Sequence, residues 1–82
     1  MVSRVSINGP PKVFGRKLRL LRQARRLTLK ELAEQLGYVS HGYISEIESG
    51  RKPPTVELAL KVALFFGVTT DRLLRDDLKL KV

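Results

Sequence analysis

A chain of 82 residues without cysteine has room for one small core, burying roughly 60% of its unfolded surface. It has no room for a second domain or a deep substrate cleft, and no thiols for a disulfide framework or a cysteine-based zinc site. Hydrophobic residues at 43% exclude a disordered chain, and no apolar run approaches the roughly 18–20 residues that cross a bilayer. Sixteen Lys and Arg against eight Asp and Glu leave a net charge of +8. Nine of the basic side chains, and no acid, fall within residues 1–30. Such a field attracts phosphate backbones. It is also what a merely solvated basic face, or a membrane-surface helix, would show, although the apolar positions of this segment are needed for a core. The amino terminus lacks the apolar stretch of a signal peptide, so the expected location is cytoplasmic.

In chain order, residues 1–12 read as a basic tail or arm ending in Asn8-Gly9-Pro10-Pro11, which cannot continue a helix. Val5 and Ile7 alternate with polar neighbours, as do Leu78, Leu80 and Val82 near the other end, so each end is either a tail or a short strand. Between them, residues 13–76 carry five predicted helices, with 77–82 as a C-terminal tail. The first spans Val13 to Arg25 and turns Phe14, Leu18 and Leu21 inward. The second opens on Thr28-Leu29-Lys30-Glu31, a capping box in which hydroxyl and carboxylate satisfy each other's orphan backbone donors. Leu32, Ala33 and Leu36 continue it, and Gly37 ends it. The third follows Ser40 as N-cap, buries Ile44 and Ile47, and stops at Gly50. Pro53-Pro54 blocks helix, Thr55 caps a fourth from Val56 to Phe66, and a short fifth after Thr69-Thr70 carries Leu73 and Leu74. The fold class is all-α, a compact five-helix bundle.

Helices two and three, joined by a glycine turn, have the layout in which one helix braces on a nucleic-acid backbone and the next enters the major groove. The entering helix must bury one face to be rigid and leave the other small and polar. Ile44 and Ile47 supply the first. His41, Ser45, Glu46 and Ser49 fall on or near the second, with Gly42 and Tyr43 beside them. Glu46 either accepts from cytosine or, more in keeping with its charge, pairs with a nearby Lys or Arg. Arg51 and Lys52 follow as phosphate contacts.

From Leu18 to Leu74 the chain resembles the lambda-repressor-like, Cro/C1-type helix-turn-helix family. The resemblance rests on Leu-Arg-Leu-Leu-Arg (18–22), Leu27-Thr28, Glu31-Leu32-Ala33, Leu36-Gly37, Tyr43-Ile44-Ser45, Ile47-Glu48-Ser49-Gly50, Pro54-Thr55, Phe66-Gly67-Val68 and Leu73-Leu74. It implies sequence-specific binding to duplex DNA, usually as a dimer on a two-fold operator. It implies that Arg22 and Glu48 form a structural ion pair, that Ser40, His41 and Tyr43 face bases or phosphate, and that Ser49, Arg51 and Lys52 lie in a phosphate-gripping turn. Three departures stand out. Gly37 and Ile44 enclose six residues, one more than in many members, so that either Tyr38 or Val39 plugs the core. Leu29 replaces a frequent phosphate-binding Gln, a role left to Lys30. Gly42 falls in the first turn of the reading helix, at a cost of roughly 1 kcal/mol in propensity.

The fourth helix is apolar nearly all round, more than one core can absorb. Leu60, Leu64 and Phe65, with Leu74 and Leu78, are expected to form a homodimer face, unless the terminal segments cover it. The sequence contains no catalytic pairing, phosphate loop or metal cluster, so neither enzyme activity, a cofactor nor a small-molecule substrate is expected. The expected function is a DNA-binding transcriptional regulator, most simply a repressor. The competing reading is an antitoxin-type or adaptor module that uses the fold to hold a protein partner.

Overall fold

The computed structural model describes residues 13–80. Five helices follow one another: α1 (Phe14–Ala24), α2 (Leu29–Leu36), α3 (His41–Glu48), α4 (Val56–Phe66) and α5 (Thr70–Leu74). Four of the five starts are capped by the residue type that chain chemistry demands. Thr28, Ser40, Thr55 and Thr69 each accept a backbone N–H of the first helical turn through their hydroxyl. Helix α1 is the exception and begins one residue later than the periodicity predicts. Val13, its N-cap, has no side chain to offer, and its own N–H donates instead to Asp76 Oδ1 at 3.3 Å.

The other end of α1 is closed by backbone alone. Leu27 N–H reaches back to the Arg22 carbonyl at 3.1 Å, which forces Arg26 into the left-handed region at φ 58°. A residue with a Cβ pays roughly 1–2 kcal/mol for that conformation, whereas glycine adopts it freely and loses roughly 0.5–1 kcal/mol in unfolded-state entropy. Arg26→Gly is therefore expected to stabilise the domain by about 0.5–1 kcal/mol in denaturant unfolding; a loss of stability would contradict the strain.

One core unites the helices. Phe14, Leu18 and Leu21 of α1 meet Leu32 and Leu36 of α2, Ile44 and Ile47 of α3, Leu58, Val62 and Phe66 of α4 and Leu73 of α5, all buried. Burial of these side chains is the main favourable term. Helix α4 has more apolar surface than this core accepts: Val56, Leu60 and Leu64, four residues apart, stay 78%, 51% and 84% exposed.

The segment after α5 is not a strand, and no strand occurs among the described residues. Leu78 N–H bonds to the Arg75 carbonyl in a turn. The Lys17 ammonium of α1 donates to the carbonyls of Arg72, Arg75 (2.8 Å) and Leu78 (2.6 Å), and Arg72 Nη1 donates to that of Lys79 at 2.9 Å. The acceptors a strand would use in a ladder are thus taken by side chains. Leu80 packs on the core. Lys17 is itself buried, which pushes its pKa below the ordinary lysine value against the opposing pull of Asp76 and Asp77. Three carbonyls saturate its three donors. The alternation at Val5, Ile7 and Val82, and the tail 1–12, lie outside the described residues.

Candidate nucleic-acid interface

The scaffold of the candidate reading head is α2 and α3. At the start of α2 the capping box is complete: Glu31 N–H donates to Thr28 Oγ1 at 3.0 Å and Thr28 N–H to Glu31 Oε1 at 2.8 Å. Gly37 ends the helix at φ 84°, a value only glycine reaches at little cost. The longer turn is resolved by its two extra-core candidates separating. Tyr38 turns inward, its ring 5.1 Å from that of Tyr43 and capped by the Lys61 ammonium at 4.6 Å. Burial raises its phenol pKa above the usual tyrosine value, with Lys61 opposing, so the ring stays neutral. Val39 turns out, fully exposed.

In α3, Ile44 and Ile47 are buried, while His41, Gly42 and Ser45 are exposed. Ser40 is occupied as the cap, its Oγ accepting Gly42 N–H at 3.1 Å. Tyr43 is half-buried, packed against Tyr38 with Lys52 5.8 Å from its ring centroid. Glu46 is paired, its carboxylate 3.3 Å from the Lys52 ammonium. The base-reading candidates therefore divide: His41 and Ser45 are open, Gly42 offers backbone alone, and Ser40, Tyr43 and Glu46 already hold partners within the chain.

The phosphate candidates sit on two edges of this unit. Lys30 is exposed in the first turn of α2. After α3, the Glu46 carbonyl gathers Ser49 Oγ at 3.1 Å, Arg51 N–H at 2.9 Å and Lys52 N–H at 3.3 Å. That shared acceptor, with Gly50 at φ 82°, folds the turn on which Arg51 and Lys52 are exposed.

Helix α3 is fastened from behind. Arg22 donates to Glu48 through Nε (2.7 Å to Oε2) and Nη2 (3.1 Å to Oε1), a two-pronged pair whose carboxylate side chain is 2% exposed. Arg22 Nη1 also holds the Leu27 carbonyl at 2.8 Å. Arg19 adds a longer contact at 3.4 Å. Sequence reasoning counted Lys17 and Arg19 only as part of the basic stretch, and gave Gly15 no role. A Cβ on Gly15 would lie 2.2 Å from the Ile47 carbonyl oxygen and 2.7 Å from that of Glu48, so α1 and α3 touch backbone to backbone there. A glycine inside an otherwise good helix, which propensity alone disfavours, was the available signal.

The proposed dimer face also divides. Leu60 and Leu64 are exposed, whereas Phe65, Leu74 and Leu78 are half-buried, the first two packed against this chain's own core. The Arg25 guanidinium lies 5.1 Å from the Phe65 ring and 4.8 Å from Phe66, and donates to the Phe65 carbonyl at 3.1 Å.

A helix-turn-helix family model matches residues 18–73, from α1 through α5. The chain belongs to the Cro/C1-type helix-turn-helix family. Among curated relatives, the HTH-type transcriptional activator BcrR of Enterococcus faecalis is 48% identical over 61 residues, covering 74% of this chain and 29% of that protein. The HTH-type transcriptional regulator MJ0272 of Methanocaldococcus jannaschii is 46% identical over 52 residues, 63% of this chain and 77% of that one. The chain thus spans under a third of the first relative and most of the second. Among solved structures, the N-terminal DNA-binding domain of SinR from Bacillus subtilis superposes with a TM-score of 0.72 at 27% identity, over 80% of this chain and 96% of that one. Among the described residues no helix is long and apolar enough to cross a membrane, and no cluster of His, Cys, Asp or Glu could hold a metal ion.

Proposed function

We propose that this helix-turn-helix protein is a transcriptional repressor that reads a two-fold operator in duplex DNA as a homodimer, working on the nucleoid in the cytoplasm. The observation that carries the reading is the rigid presentation of α3. Its inner face is buried through Ile44 and Ile47 and fastened by Arg22 and Glu48. Its outer face leaves His41 and Ser45 open, flanked by exposed Lys30 and Arg51. Side chains on a helix held this way can be matched to base edges, and the flanking cations set register on the phosphates. The Val56, Leu60 and Leu64 stripe supports the dimer, because a contiguous apolar strip on a small domain marks an interface. Exposed Leu64 is its test position; Phe65 is not, since it serves the monomer's own packing.

Selection of bound duplexes from a random pool tests the reading. One enriched inverted repeat is expected, with His41→Ala and Ser45→Ala each weakening binding to it by tenfold or so while melting like the native protein. Arg51→Ala should weaken all duplexes alike and flatten the log affinity against log salt slope by about 0.9. The native chain should sediment as a dimer and Leu64→Glu as a monomer. Equal binding to every duplex, indifferent to His41 and Ser45, overturns sequence reading. DNA binding that emerges only after a co-purifying protein is removed favours the antitoxin or adaptor reading instead.

A further inference from the structure

The six-residue stretch between Gly37 and Ile44 leaves one apolar side chain without a role in the fold. Val39 is 105% exposed, the most exposed of the large apolar side chains among the described residues, and it immediately precedes the cap of the recognition helix. It is not on a loose tip. Tyr38 beside it is anchored by the Tyr43 ring at 5.1 Å and the Lys61 ammonium at 4.6 Å, and Lys61 is in turn held by Glu57 at 3.0 Å. Ser40 on its other side is tied down by Gly42 N–H at 3.1 Å. Both neighbours being pinned, a stiff β-branched side chain is presented in a fixed place, so little freedom is lost when something packs against it.

The head of α3 is correspondingly short of projecting polar groups. Ser40 is spent as a cap, Gly42 has no side chain, and Tyr43 is half-buried. Gly42 instead lets the helix approach closely. A Cβ there would meet only Ser40 Oγ, at 3.3 Å. The exposed side chains at this end of the helix are then the Val39 isopropyl group and His41. The major groove presents a single apolar feature on its base edges, the C5 methyl of a pyrimidine, carried by thymine and by 5-methylcytosine. We propose that Val39 is a specificity-determining residue that packs on the C5 methyl of a thymine in each half-site, so that the extra residue of the turn adds a T·A preference which the polar face of α3 does not supply. The proposal rests on the DNA-reading function above.

Parallel selections from one random duplex pool, with native protein and with Val39→Ala, test it. The native protein is expected to enrich thymine at one position per half-site where Val39→Ala shows no preference, the remaining positions being shared. In the native-selected duplex, deoxyuridine at that position removes the methyl alone. It should weaken the native protein about three- to fivefold, the worth of roughly one methyl group withdrawn from water, and leave Val39→Ala unchanged. Val39→Ala should melt with the native protein, since the side chain touches no core. Identical enriched sequences for the two proteins, or equal response to deoxyuridine, overturns the Val39 inference while leaving DNA reading intact. Enrichment of cytosine there, strengthened only by 5-methyl-deoxycytidine, overturns the thymine assignment. A native protein that enriches nothing overturns the DNA-reading function and this inference with it.

Discussion

Gly15→Ala is expected to destabilise the domain by about 3 kcal/mol or more. Helix propensity argues the other way: Gly15 lies in α1 at a helical φ, where alanine should gain roughly 1 kcal/mol. Space decides the sign. The added carbon would sit 2.2 Å from the Ile47 carbonyl oxygen and 2.9 Å from the Glu48 carbonyl carbon, atoms of a backbone that cannot rotate aside as a side chain could. Either α1 or α3 must move, and forcing even one extra carbon into a well-packed core costs roughly 1–3 kcal/mol. For a chain of 82 residues, total stability of roughly 4–12 kcal/mol makes this a large share. Gly42→Ala is the control: its new carbon meets only a hydroxyl at 3.3 Å, so its stability should stay level or rise slightly. Urea unfolding of the two variants checks both signs, and a Gly15→Ala protein as stable as native would disprove the close approach.

Glu48→Ala carries the second large effect, a loss of about 3 kcal/mol. Its carboxylate is 2% exposed and its partner Arg22 14%, so truncation strands a guanidinium that is mostly out of water. Breaking a buried pair from one side costs roughly 3–5 kcal/mol; the remaining Arg22 bond to the Leu27 carbonyl, at 2.8 Å, puts the expectation at the low end. The surface pair Glu46–Lys52, 3.3 Å apart and substantially exposed at both ends, gives the contrast: Glu46→Ala should change stability by about 0–1 kcal/mol. Replacing both partners, Arg22→Met with Glu48→Leu, should recover most of the loss, because an apolar pair leaves no stranded charge. Denaturant unfolding of the two single variants and the double variant measures the coupling. Additive losses in the double variant would show that the two side chains do not act as a pair.

Much of the scaffold was legible in the sequence because it is locally encoded. The Thr28–Glu31 box, the stops at Gly37 and Gly50 and the threonine starts of α4 and α5 depend on residues three or four apart, whose geometry a helix dictates. The pair Arg22–Glu48, 26 residues apart, came from family resemblance; periodicity places the two on separate helices and says nothing of their meeting. Lys17 was read as one more cation of a basic stretch, yet it is buried as a clamp on carbonyls 55 to 61 residues away. The apolar alternation of Leu78 and Leu80 suggested a strand with equal right, because periodicity cannot tell an extended ladder from a turn whose carbonyls are taken by side chains.

By itself, then, the sequence determined the five helices, the capped starts of four of them, the apolar stripe of each and the basic field, since all of these follow from short-range sterics, capping and composition. Tertiary structure alone decided which of two adjacent residues entered the core, Tyr38 rather than Val39; which glycine was indispensable, Gly15; and which half of the α4 surface stayed open. Each of those depends on what another helix brings to the same place, and the energy of a contact is set by the partner as much as by the residue.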